Sequence, residues 1–231
     1  MLHGKVSGQA SVLRYYAKYR RRRGDALHAF LDESAARIRE ASRRILDVPT
    51  ADWDAQRKVA MGHEGVGAAI YWEAVARMVP PELGFSARVT RGATDPLNQS
   101  LNYAYGCLYA EVWRAVQQAG LDPYLGIIHG SERGDASLVF DLVEELRPNF
   151  ADRLIFSLLG RGFRPKIGAR GVLSTASRRM ISRAFHRCAS RGARWRGSRK
   201  SLTKIAVGQA RTLRAVVLGE ALTYRAFHLR W

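Results

Sequence analysis

Prolines and glycines divide this chain into segments whose apolar residues recur every three or four positions, and that periodicity leaves room for little except packed helices. Sustained apolar/polar alternation is missing, as are Asn-Gly hairpin signals, so no sheet is expected. Ala26, Phe30, Ala36, Ile38 and Ile45 predict one or two helices closing before Pro49. Another begins near Trp53, carries Val59, Glu64, Ala68 and Tyr71, and stops at Pro80-Pro81. Beyond a loop over 82–95, Asp95 caps a helix with Pro96 in its first position. That helix runs through Leu101, Tyr105, Leu108 and Val112 to Gly120. A polar loop over 129–136 leads to a helix that starts at Ser137 and ends or kinks at Pro148. Residues 160–171, rich in glycine, read as a flexible basic linker, followed by helices over roughly 174–188 and 198–220. The fold class is mainly α. A helical body over 1–160 and a basic helical part over 161–231 form one domain, with 47% hydrophobic residues to build its core.

Charge is distributed unevenly. Residues 1–160 hold 20 basic and 19 acidic side chains, whereas 161–231 hold 18 basic ones and Glu220 alone. Thirty-two of the 38 cations are Arg, which grips phosphate in bidentate fashion. Codon bias explains Arg over Lys, but not the near-absence of acids after residue 160. A nucleic acid is the partner this pattern fits. Arg133, Arg147, Arg161, Arg164, Lys166, Arg178 and Arg179 are the candidate phosphate contacts. Cys107 and Cys188 lack zinc-site spacing and read as buried free thiols. No apolar run approaches the ~20 residues of a membrane span. Without a signal peptide, the chain reads as soluble and cytoplasmic.

Chemistry concentrates around His129 and the stretch Asp141-Leu-Val-Glu144-Glu145-Leu-Arg147-Pro148. Asp141 and Glu144 share a helix face at i, i+3, with Glu145 beside them, and such like charges persist where a cation compensates them. An ordinary solvated acidic face, partnered by Arg147 and Arg153, explains the same pattern. His129 alone is equally readable as a structural hydrogen-bonder. Glu64 lies in a stretch of small residues, Gly65-Val66-Gly67-Ala68-Ala69, where a helix side is stripped of bulk. His63-Glu64 is not a zincin motif, because Gly67 stands where the second His belongs. A His with several carboxylates suits Mg²⁺ or Mn²⁺ better than Zn²⁺. The tyrosines 103, 105 and 109 read as core, although Tyr103 or Tyr105 is able to brace a DNA strand.

Further motifs extend this pattern: Lys5…Gln9…Leu13-Arg14, Glu64-Gly65…Ala68…Tyr71-Trp72, and Asp95-Pro96-Leu97-Asn98…Leu101-Asn102-Tyr103…Tyr109…Glu111-Val112. They continue through Gly120-Leu121-Asp122-Pro123-Tyr124-Leu125-Gly126…His129, the Asp141–Pro148 stretch, and Tyr224…Phe227…Trp231. In this order they resemble the CRISPR-associated integrase/endonuclease of the spacer-acquisition module, specifically its helical C-terminal domain. The resemblance implies a divalent metal on Glu64, His129 and Glu144 with Asp141 beside it, these four forming the catalytic set. It implies insertion of short double-stranded DNA fragments into a repeat array by 3′-hydroxyl attack, and the reverse cleavage of branched DNA. A transposon-type integrase, a branched-DNA nuclease and a non-catalytic architectural DNA binder are the alternatives. Family members usually begin with a β-rich dimerisation domain that helps dock a small ferredoxin-like partner, whereas here Met1 falls near the start of the helical part. The expectation is a compact form that assembles as a homo-oligomer through its helices, with or without that partner. A start codon further upstream is the competing explanation.

Overall fold

The computed structural model describes residues 1–48, 52–130 and 134–229; Pro49, Arg133 and Trp231 lie outside them. The chain is mainly α. Helix α1 (Leu2–Arg21) is one that periodicity does not reveal. Its buried residues, among them Val6, Gly8, Gln9, Ala10, Val12 and Leu13, point in nearly every direction, so no single apolar stripe marks it. Helix α2 (Leu27–Leu46) returns antiparallel to α1, and α3 (Trp53–Met78) packs on both. Asp52 caps α3 by accepting the Asp54 N–H at 3.0 Å. Asp95 caps α4 (Pro96–Gln118) through the Asn98 N–H at 2.8 Å, with Pro96 in the first turn as expected.

Helix α4 is the central strut, in contact with α5 (Ser137–Glu144), α7 (Thr175–Arg191) and α8 (Leu202–Val217). Pro148 follows α5 and lacks the N–H that would continue its ladder. The backbone widens there into a π-helical turn over Arg147–Asp152 before α6 (Arg153–Gly160). One hydrophobic cluster runs from Val6 to Leu229 and includes Leu31, Ile38, Tyr71, Leu101, Leu108, Ile155, Ile181 and Leu202. Burying each such side chain contributes about 1.5–3 kcal/mol before conformational entropy is counted.

Three expectations need correction. The segment 160–171 is no flexible linker: Pro165 and Leu173 are buried, and Ile167 bridges Leu173. Gly168 N–H donates to Val172 O at 2.8 Å, closing the loop. The last helix starts only at Leu202, because a hairpin of β1 (Ala193–Trp195) and β2 (Ser198–Lys200) precedes it. Arg196 (φ 47°) and Gly197 (φ 83°) turn it, an Arg-Gly version of a turn that the search for Asn-Gly overlooks. Cys107 and Cys188 are free but only partly buried. Beyond α8 the chain runs back across α1. A Cβ on Gly4 would lie 2.7 Å from Ala226 Cβ, so only glycine admits this return. No helix among the described residues is long and apolar enough to cross a membrane.

Candidate metal centre

Helices α1 and α3 meet at Gly67, where a Cβ would press on Val6 Cγ1 at 2.9 Å. That close approach brings Lys5, next to Val6, within reach of Glu64, one turn before Gly67. Lys5 Nζ lies 2.7 Å from Glu64 Oε1 and 2.6 Å from Glu144 Oε2, so one ammonium joins two carboxylates from different helices. Burial alone would lower the Lys5 pKa. The charges of Glu144 and Glu64, with hydrogen bonds to both, outweigh it and hold the group above its ordinary value. Burial likewise works to raise Glu144, but Lys5 and Arg147 prevail and hold it below the usual carboxylate range. Glu144 Oε2 is nevertheless buried without a well-directed hydrogen bond; the Lys5 contact is close but poorly aligned.

Asp141 is fully buried and serves the loop before α5. Its carboxylate accepts the N–H groups of Ile127 (2.6 Å), Ile128 (2.8 Å) and His129 (3.1 Å), and contacts His129 Nδ1 at 2.5 Å. Gly126 makes this loop possible, because a Cβ there would lie 2.3 Å from His129 O. With Nδ1 engaged, His129 presents Nε2 as its remaining ring nitrogen. The hydrogen bond that the ring donates to Asp141 raises the His129 pKa despite partial burial.

Asp141 and Glu144 keep to one side of α5, where the charges of both act on His129, but Glu145 leaves that face. Glu145 points to the opposite side, where it accepts Gln209 Nε2 (2.9 Å), Tyr224 Oη (2.7 Å) and Phe227 N–H (3.1 Å). Burial holds its pKa above the usual range. The solvated-face reading fails as well, since Asp141, Glu144 and Glu145 are all buried. The physical reason is that α5 is enclosed on almost every side, so each carboxylate meets a different set of partners. Among the described residues no three His, Cys, Asp or Glu side chains gather into a metal cage. Glu64 and Glu144 do share one cation, and it is Lys5.

Arg147, a candidate phosphate contact, is engaged within the chain. It pairs with Glu144 and with the Tyr109 hydroxyl, and its guanidinium stacks 4.7 Å from the Tyr105 ring centre. Beside it opens a cavity of about 360 Å³ lined by Lys5, Gln9, Trp72, Arg88, Tyr105 and Tyr109 among others. Gln9 is 2% exposed, and its Oε1 has no partner there. Arg88 is held by Asn98 Oδ1 (2.9 Å) and Asn102 Oδ1 (2.6 Å). Lys5, Gln9 and Arg88 are site residues that charge and spacing did not single out. Tyr105 is buried, its hydroxyl donating to Asp152 Oδ1 at 2.6 Å. Gly62 and Gly65 flank Glu64 with open space beyond them, which leaves the outer side of α3 bare.

The remaining candidate phosphate contacts are exposed: Arg161, Arg164, Lys166, Arg178 and Arg179. Arg164 is partly engaged, with its Nε 2.8 Å from Glu82. On α7, Arg178 and Arg179 are continued by exposed Arg183, Arg187 and Arg191, with no acid in the helix. Arg133 lies outside the described residues.

The fold and site can be set beside known proteins. The solved structure titled "Casposase bound to integration product" superposes with a TM-score of 0.74 at 20% identity, covering 96% of this chain and 64% of that one. Another, titled "Cas6-RT-Cas1--Cas2 complex", gives 0.75 at 20% identity over 100% of this chain and 25% of that one. A CRISPR-associated endonuclease Cas1 from Korarchaeum cryptofilum is 36% identical over 187 residues, 79% of this chain and 54% of that protein. The chain thus spans about half the length of that relative. The family model described as CRISPR associated protein Cas1 matches residues 1–188. This chain belongs to the CRISPR associated protein Cas1 family.

Proposed function

We propose that this chain joins short double-stranded DNA fragments to a CRISPR repeat array by 3′-hydroxyl attack on a phosphodiester, with Mg²⁺ or Mn²⁺ as cofactor. One observation carries the reading: Glu64 and Glu144, from separate helices, already converge on a single cation. Repelling carboxylates held that close suit a hard divalent ion, and Glu144 Oε2, now 2.6 Å from the Lys5 ammonium, is an oxygen such an ion would take over. Glu64, Glu144 and His129 Nε2 would hold the ion. When bound, such an ion polarises the scissile phosphate and lowers the pKa of the attacking hydroxyl.

The chain's own groups do the rest. Asp141 fixes the His129 ring and leaves Nε2 free. Lys5 and Arg147 hold Glu144 below the usual carboxylate range. Lys5, Arg88 and Arg147 line the adjoining cavity with positive charge suited to a phosphate of the reacting strand. Exposed arginines of α7 hold duplex beyond it.

Joining both ends of a fragment needs two such centres. The working assembly is therefore a homo-oligomer, alone or on a small adaptation partner such as the Cas2 of the neighbouring complex's title. The same centre running in reverse cleaves branched DNA. The test combines protein, Mn²⁺, short duplexes with free 3′-hydroxyls and a supercoiled plasmid. Strand-joined products are expected. Cleavage without joining would make the chain a nuclease, and shifted but unaltered DNA would make it an architectural binder.

A further inference from the structure

Helices α1 and α2 face each other along a seam of Ser7, Arg14 and Arg21, seven apart on α1, and Ser42, Arg39 and Asp32, three and seven apart on α2. Both ends of the seam are satisfied. Ser7 Oγ lies 2.7 Å from Ser42 Oγ, and Arg21 pairs with Asp32. Between these contacts the antiparallel register sets Arg14 against Arg39, like charge against like charge. Arg43, one turn further along α2, adds a third guanidinium. Of the carboxylates nearby, Asp32 pairs with Arg21 while its charge also draws on Arg39, and Glu40 pairs with Arg43 and Arg44. Arg39 Nη1 is buried and has no acceptor. Its burial and the charges of Arg14 and Arg43 together hold Arg39 below its ordinary pKa.

A guanidinium N–H buried without an acceptor, beside the like charges of Arg14 and Arg43, costs stability. An oxyanion placed between the arginines supplies both the acceptors and the missing negative charge. The position matters too. Arg14 lies nine residues after Lys5, about 13.5 Å along α1 and half a turn around it. A phosphate in the seam is therefore on the other side of α1 from Glu64 and Glu144. Residues 1–24 contain seven basic side chains and no acid, so positive charge continues from Arg14 through Lys18 to Arg23.

We infer that the Arg14–Arg39–Arg43 seam binds the phosphate backbone of a length of duplex DNA other than the one reacting at the metal centre. This rests on the DNA-joining reading, and it adds a second path for DNA to the one along α7.

The full chain, its Arg14→Gln and Arg39→Gln variants and their double variant are titrated against a labelled duplex of about 30 base pairs, from about 50 to 200 mM salt. The salt slope of the double variant should be shallower by about one to two, with affinity down on the order of tenfold. Its melting temperature should equal or exceed that of the wild type, because repulsion is relieved; a structural role would lower it. Arg178→Gln/Arg179→Gln serves as the comparison. If that pair weakens binding while the seam variants retain wild-type affinity and slope, the seam proposal fails and the DNA reading survives. If the wild type binds no duplex, both fail. If inorganic phosphate stabilises the wild type more than the seam variants, yet duplex affinity is unchanged, the seam holds a free anion and the proposal is overturned.

Discussion

Lys5 Nζ stands 2.6 Å from Glu144 Oε2 while also touching Glu64, so an ammonium built into α1 compensates the carboxylate pair proposed to hold a divalent ion. Lys5→Met should leave Glu144 with Arg147 alone and Glu64 facing a like charge. Breaking a buried pair costs about 3–5 kcal/mol, and the lower end applies because Arg147 remains. Urea unfolding in chelator should show that loss. Added Mn²⁺ should recover more stability in the variant than in the wild type, since the variant has no ammonium to displace. Equal Mn²⁺ effects in both proteins would reject the idea that Lys5 and the metal share one place.

Glu64→Ala and His129→Ala should each abolish strand joining in Mn²⁺ while duplex affinity, which comes from phosphate contacts elsewhere, stays within about twofold of wild type. Gel-based joining and anisotropy measure the two quantities separately. A parallel collapse of affinity would mean that these residues hold the fold or the DNA rather than a metal.

Asp141 acts on His129 through a 2.5 Å contact, so its replacement should register on the imidazole itself. Asp141→Asn should lower the His129 pKa, readable by NMR titration. Metal affinity should drop by about 10–100-fold, the usual cost of losing an orienting partner. In the wild type the raised His129 pKa means that the pair's stabilisation is present below the ordinary imidazole value and fades as pH rises through the raised one. Metal binding has the opposite sign, since it needs the neutral ring, and weakens as pH falls through that value. An unchanged His129 titration in Asp141→Asn would show that the contact does not govern the ring.

Much of this architecture is legible from local signals. Asp52 and Asp95 cap α3 and α4, and Pro96 opens α4, because capping is a short-range property that a sequence displays directly. Helix α1 escaped because it is buried all round and thus carries no stripe. The acidic cluster misled for a related reason. Spacing puts Asp141, Glu144 and Glu145 together on an isolated helix, whereas in the enclosed one Glu145 leaves that face and each finds a separate partner. Lys5 illustrates the limit most clearly. Its role depends on Gly67 letting two helices close, a long-range fact with no local trace.

Asp152 supplies a second pH dependence. It is 1% exposed and accepts hydrogen bonds from Tyr71 Oη at 3.0 Å and Tyr105 Oη at 2.6 Å. Burial raises its pKa to about 6, the two hydroxyls offsetting part of the effect. Because the folded value exceeds the unfolded one, the group favours the fold most below its unfolded value near 3.8, and that contribution is lost as pH rises through about 6. A shift of about two units corresponds to roughly 3 kcal/mol. Asp152→Asn keeps the shape and removes the charge. The stability gap between wild type and variant should therefore move by about that amount between pH 4 and pH 7, with the wild type relatively stronger in acid. Urea melts across this range measure it, and parallel curves for the two proteins would show that Asp152 does not titrate between its folded and unfolded values.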